Sequence, residues 1–163
     1  MITLFSHKMP TTENQLFEKF TKLANAVRQD FKRKGVVLPS QKKDGSIQIG
    51  TYNIKKQNSA YYIKDRNDNV VVGPLNLAQT AVVIANDLAL GRWPDHQLMD
   101  DDKWYGYKAF AEESALHIAE TASKRKDTDR ADFSRYRAVM AAEQKLIYKK
   151  NIDSRFNKLC KLT

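Results

Sequence analysis

The chain predicts an α+β fold: an N-terminal helix, a small three-stranded antiparallel sheet packed on a buried helix, and a C-terminal antiparallel helical hairpin. Three observations carry this. Residues 47–54, 60–64 and 70–72 are short apolar runs whose links are too short for parallel crossovers, so the strands form an antiparallel meander. Residues 77–90 read LAQTAVVIANDLAL, apolar nearly all round and closed by Gly91, as in a helix buried on both sides. Two long helical patterns follow, parted by the polar KRKDTDR of residues 124–130.

Taken in order, residues 1–10 form a short arm in which Met1, Ile2, Leu4 and Phe5 are apolar and Pro10 stops any helix. Thr12 with Gln15 has capping-box spacing. The helix it opens carries Leu16, Phe20, Leu23, Val27 and Phe31 on one stripe and ends at Gly35. Lys32, Arg33 and Lys34 fall in its last turn, where they suit the negative end of the helix dipole; the sharper alternative is a phosphate contact. Pro39 ends a short apolar run at residues 36–38, and residues 40–46 read as a polar loop with an Asp44-Gly45 turn.

In the sheet, Ile47 and Ile49 alternate with Gln48, and Gly50 marks a bulge. Residues 55–58 read as a turn, residues 65–69 (DRNDN) as a second turn, and Gly73-Pro74 as the end of the third strand. Asn76 is the candidate N-cap of the buried helix. Residues 92–99 form a linker, dividing the chain into 1–95 and 96–163, packed together as one unit. Asp100, Asp101 and Asp102 then precede a helix from Lys103 to about Lys126, placing three acids at its positive end. Its stripe of Trp104, Tyr107, Ala111, Ala115, Ile118 and Ala122 turns to small residues in the later half, which allows close approach of a second helix. That helix, from about Arg130, carries Phe133, Tyr136, Met140 and Ile147, then shifts face to Ile152, Phe156, Leu159 and Cys160.

Enzyme chemistry has little to work with. There is no G-x-x-x-x-G-K-[ST], G-x-G-x-x-G or G-x-S-x-G, and the 163 residues include only 6 Gly. The single cysteine, Cys160, forms no internal disulfide and lies too close to the C-terminus to suggest a nucleophile. His96 with Asp100–Asp102 reads as helix capping rather than a cation site. Glu113, His117 and Glu120 share one helical face, but a di-metal bundle needs a matching set on the facing helix, which offers no His. The chain therefore reads as a non-enzyme with no cofactor and no metal.

Charge points to a partner instead. With 28 Lys and Arg against 19 Asp and Glu, the net charge is +9 and the excess is larger in residues 1–95. Such a field favours nucleic acid or another acidic surface. No apolar run is long enough for a membrane span and no signal peptide is evident, so a membrane partner is not expected. The candidate nucleic-acid contacts are Lys32, Arg33, Lys34, Lys42, Lys43, Lys55, Lys56, Lys64 and Arg66, with Tyr52 and Tyr62 as stacking groups and DNA preferred over RNA.

Residues 46–91, through their β-β-β-α order and the helix pattern Leu77-x-x-Thr80-Ala81-x-x-x-Ala85, resemble the three-stranded DNA-binding domains of plant ethylene-response factors and phage integrase arm-binding domains. The set of Arg and Trp that those domains carry on the exposed sheet face is absent here. The run from Ala60 to Gly91, followed by Asp102-x-x-Tyr105 and the hairpin, resembles uncharacterised proteins of large tailed marine phages of the myovirus type. That resemblance implies a setting in the cytoplasm of an infected host cell or within the virion. It adds a second reading, a phage structural or assembly protein that docks on phage or host proteins, or on its own copies, through the hairpin and the arm.

Overall fold

The protein, as a computed structural model, is described over residues 39–161 together with residues 17, 18 and 37. The arm and N-terminal helix expected over residues 1–35 otherwise lie outside the described residues. Among the described residues, five strands and three long helices follow one another: β1 (Pro39–Gln41), β2 (Ile47–Ile49), β3 (Tyr52–Gln57), β4 (Ala60–Lys64), β5 (Val70–Leu75), α1 (Ala78–Ala89), α2 (His96–Lys124) and α3 (Thr128–Lys161). The α+β class is as the sequence indicates. The sheet, however, is a five-stranded antiparallel meander in the order β1-β2-β3-β4-β5, not three strands.

The extra strands have local causes. The run over residues 47–54 folds back on itself: Ile49 pairs with Tyr52, leaving Gly50 and Thr51 as a two-residue turn rather than a bulge. Gly50 has φ +64°, and a Cβ there would lie 2.9 Å from the Ala89 Cβ on α1, so only glycine fits. Pro39 opens β1 at the sheet edge, where a missing N–H breaks no ladder. The expected turn at residues 55–58 is displaced: Lys55, Lys56 and Gln57 belong to β3. Asn58 and Ser59, both with positive φ, make the two-residue hairpin turn whose twist matches the strands. Nor does Gly73-Pro74 end the third predicted strand. β5 runs through to Leu75, with register shifts against β4 on either side of Ile63.

One face of the sheet supplies Ile47, Ile49, Ile54, Ile63, Val72 and Leu75 to the core, and α1 packs on it through Ala78, Ala81, Val82, Ile84 and Ala85. Each Ile so buried contributes about 1.5–3 kcal/mol. The other side of α1 meets the base of the hairpin, where Leu98, Ile152, Phe156 and Cys160 complete the core. The face shift after Asn151 seen in the sequence is therefore the change from packing on α2 to packing on α1. Asn76 does not cap α1; Leu77 stands at the N-cap and makes no side-chain bond.

α2 starts seven residues before the expected Lys103. Asp95, after Trp93-Pro94, is its N-cap and accepts the Leu98 N–H at 3.0 Å. Asp101 and Asp102 thus sit inside the helix, where both are buried. Beyond the base, α2 and α3 pack along a seam of small buried residues: Ala115, Ala119 and Ala122 against Ala131, Ser134, Ala138 and Ala141. At about 1.5 Å per residue these helices extend over about 40–50 Å. Among the described residues, no helix is long and apolar enough to cross a membrane.

Candidate functional site

Two surfaces differ from the rest. The first is on the sheet face away from α1. Because Ile47, Ile49 and Ile54 point into the core, Gln48, Asn53 and Lys55 point out. The loop before β2 and the turn after β4 rise around them, and Lys42, Gln48, Thr51, Asn53, Lys55, Asp65, Arg66 and Asp68 line a polar basin of about 500 Å³. Lys55 Nζ lies 3.0 Å from Asp68 Oδ1, with Lys64 Nζ at 3.9 Å. The hydrogen bond from Lys55, then the charges of Lys55 and Lys64, hold the Asp68 carboxyl below its ordinary value. Asp65 is committed to its turn, accepting the N–H groups of Asn67 and Asn69 at 2.9 and 3.0 Å. Lys42 and Arg66 make no ion pair with any described residue. The Asn53 Oδ1 is buried without a hydrogen-bond partner among the described residues. The lining is therefore of mixed charge, two carboxylates among three cations, rather than a continuous basic track.

The structure brings only part of the predicted set together. Lys42, Lys55 and Arg66 share the basin. Lys64 is on the same face but only 9% exposed. Tyr62, opposite Lys55 in the register, lies beside Gly73, whose missing side chain leaves room for its ring. Tyr52 is instead turned to the core, which removes it as a stacking group. Lys56 points to the other side, with Nζ 5.6 Å from the centre of the Tyr61 ring. Lys43 is exposed on the loop but does not line the basin. Lys32, Arg33 and Lys34 lie outside the described residues.

The second surface is the outer part of the hairpin. Its seam is built from small residues, so the large apolar side chains stand outside it. On α2 these are Trp104, Tyr107, Phe110, Leu116 and Ile118; on α3 they are Phe133, Tyr136, Val139, Met140, Leu146 and Ile147. Phe110 is 70% exposed and Phe133 60%. On one side, Phe110, Ile118 and Met140 rim a groove of about 410 Å³ floored by Ala111, Ser114, Ala115, Ser134 and Ala141. Aromatic surface continues toward the base, where Trp104 stacks on Tyr148 across the hairpin and meets Tyr107 edge-on. The cations of this side lie over rings: Lys108 Nζ 5.9 Å from Trp104, Arg137 5.9 Å from Phe133, and Lys103 Nζ 5.8 Å from Tyr107. On the sequence, the Trp104–Ala122 stripe looks like a seam. The signal that it is not entirely one was the small residues, which can close a helix pair without their larger neighbours.

Glu113, His117 and Glu120 are all exposed, and Glu120 pairs with Lys124 at 3.2 Å. No group of three or more His, Cys, Asp or Glu side chains among the described residues is placed to hold a metal. Cys160 is buried in the core. No protein-family model, no curated protein and no solved structure matches the chain.

Proposed function

We propose that the protein is a non-enzymatic assembly component, working in the construction of a tailed-phage particle, that docks on another protein through the helical hairpin. The observation that supports this reading is the apolar face carried by Phe110, Ile118, Phe133 and Met140 beyond the Ala-lined seam. Soluble monomers rarely expose contiguous apolar patches above a few hundred Å². These four side chains, each leaving on the order of 100 Å² exposed, come to roughly 400 Å², about half of the ~800 Å² per partner of a standard interface. The buried seam of the hairpin is Ala and Ser rather than these large side chains. Cross-linking tests the reading: with benzoylphenylalanine in place of Phe133, irradiation in the native host should yield an adduct to a second protein chain. Absence of such an adduct would refute it.

A second reading, nucleic-acid association, is favoured by the basin that gathers Lys42, Lys55 and Arg66 beside Gln48 and Asn53. Lys42 and Arg66, which make no ion pair with a described residue, suit a backbone phosphate. It ranks second because Asp65 and Asp68 line the same basin and Tyr52 is turned inward.

A further inference from the structure

The groove between α2 and α3 has a chemical bias that says which kind of partner it fits. We infer that it receives an amphipathic helix whose apolar stripe is flanked by carboxylates. This inference rests on the docking reading above and names the partner's chemistry. The floor of Ala111, Ser114, Ala115, Ser134 and Ala141 carries no bulk, so a third helix axis can approach to the 8–10 Å of ordinary helix packing. Phe110, Ile118 and Met140 on the rims then close over its apolar stripe, in the manner of helix-in-groove recognition.

The charges select the sign. Lys108 and Arg137 line the groove and, among the described residues, no acidic one does. Both hold their charge over aromatic rings rather than against a described carboxylate. A helix with Glu or Asp beside its apolar stripe supplies the missing counter-charges. A second copy of this hairpin laid face to face would set Lys108 and Arg137 against cations of the same kind, a repulsive juxtaposition. The acid partners available on the hairpin are elsewhere: Glu112 is bound to Lys145 at 2.6 Å, and neither residue lines the groove.

The test uses the full chain and two fluorescein-labelled synthetic helices of about five turns, both with a Leu stripe, one flanked by Glu and one by Lys. Anisotropy should show binding of the Glu peptide and at least tenfold weaker binding of the Lys peptide, about 1.4 kcal/mol. Lys108→Glu/Arg137→Glu should reverse that preference. Ala111→Trp, an exposed site on the floor, should block both peptides, while Leu146→Ser outside the groove should change neither. Equal binding of both peptides, binding untouched by Ala111→Trp, or a dimer that the Glu peptide dissociates would each overturn the inference. If neither peptide binds but the Phe133 photoprobe still captures a protein, the groove inference fails and docking stands. If the photoprobe captures nothing, docking fails with it.

Discussion

Asp102 and Asn76 clasp each other across the junction of the two parts of the chain. The Asp102 Oδ2 accepts the Asn76 backbone N–H at 2.9 Å, and the Asn76 Nδ2 donates to the Asp102 backbone carbonyl at 2.9 Å. Thr80 Oγ1 adds a third bond, to Asp102 Oδ1, at 3.3 Å. A carboxylate of α2 thus serves the start of α1, which has no side-chain cap of its own, and favours the positive end of that helix dipole. Asp102→Ala leaves buried donors unsatisfied and should lower stability by about 1–3 kcal/mol in chemical denaturation.

The same carboxyl sets a pH dependence. Burial raises the Asp102 pKa above 3.8, and the hydrogen bonds from Asn76, Thr80 and Leu77 offset this only in part. A carboxyl whose pKa is higher folded than unfolded binds its proton more tightly in the native state. Its contribution is therefore greatest below 3.8 and declines as pH rises through the folded pKa. Asp102→Asn should flatten the fall in melting temperature that sets in as pH rises above 3.8. An unchanged profile would place the titration elsewhere, on Asp87 or Asp153, which burial raises likewise.

Gly106, inside α2, would ordinarily gain about 1 kcal/mol on replacement by Ala. Here a Cβ would run into the Asn76 side-chain amide, the group bonded to Asp102. Gly106→Ala should therefore lower the melting temperature, and combining it with Asn76→Ala should remove most of that loss.

These contacts show where the sequence was legible. The apolar periodicity of residues 77–90 was enough to place a buried helix, because its pattern and its environment agree. The number of strands was not, because Gly50 and Pro39 read as a bulge and a stop when the chain is read alone. Only the approach of Gly50 to Ala89 and the edge position of Pro39 make them a turn and a strand start. Asp102 looked like a cap for its own helix, since a long-range partner such as Asn76 leaves no mark in local spacing. In the basin, the cations were visible as residue types. The pairing of Lys55 with Asp68 and the inward turn of Tyr52 depend on the fold.

The hairpin face should be dispensable for folding. Phe110→Ser/Phe133→Ser removes two exposed side chains outside the Ala seam, so stability should stay within about 0.5 kcal/mol per site. A calorimetric scan that shows a large loss would mean the face is covered within the chain.

If nucleic acid is a partner, the basin limits its contribution. Three cations that reach phosphate give a slope of about −3 in log affinity against log salt on duplex DNA. The triple change Lys42→Glu/Lys55→Glu/Arg66→Glu should bring anisotropy-measured binding near zero. A slope unaffected by it would place any nucleic-acid contact outside the basin.

Hydroxyl-radical footprinting of Met140, Phe110 and Phe133, in the free chain and in extract of cells that make it naturally, tests the docking claim most directly. All three should be oxidised in the free chain and strongly protected in the extract, with Val139 and Leu146 as references on the other side. Equal oxidation in both states would contradict it, and protection already present in the free chain would mean that the chain covers this face itself.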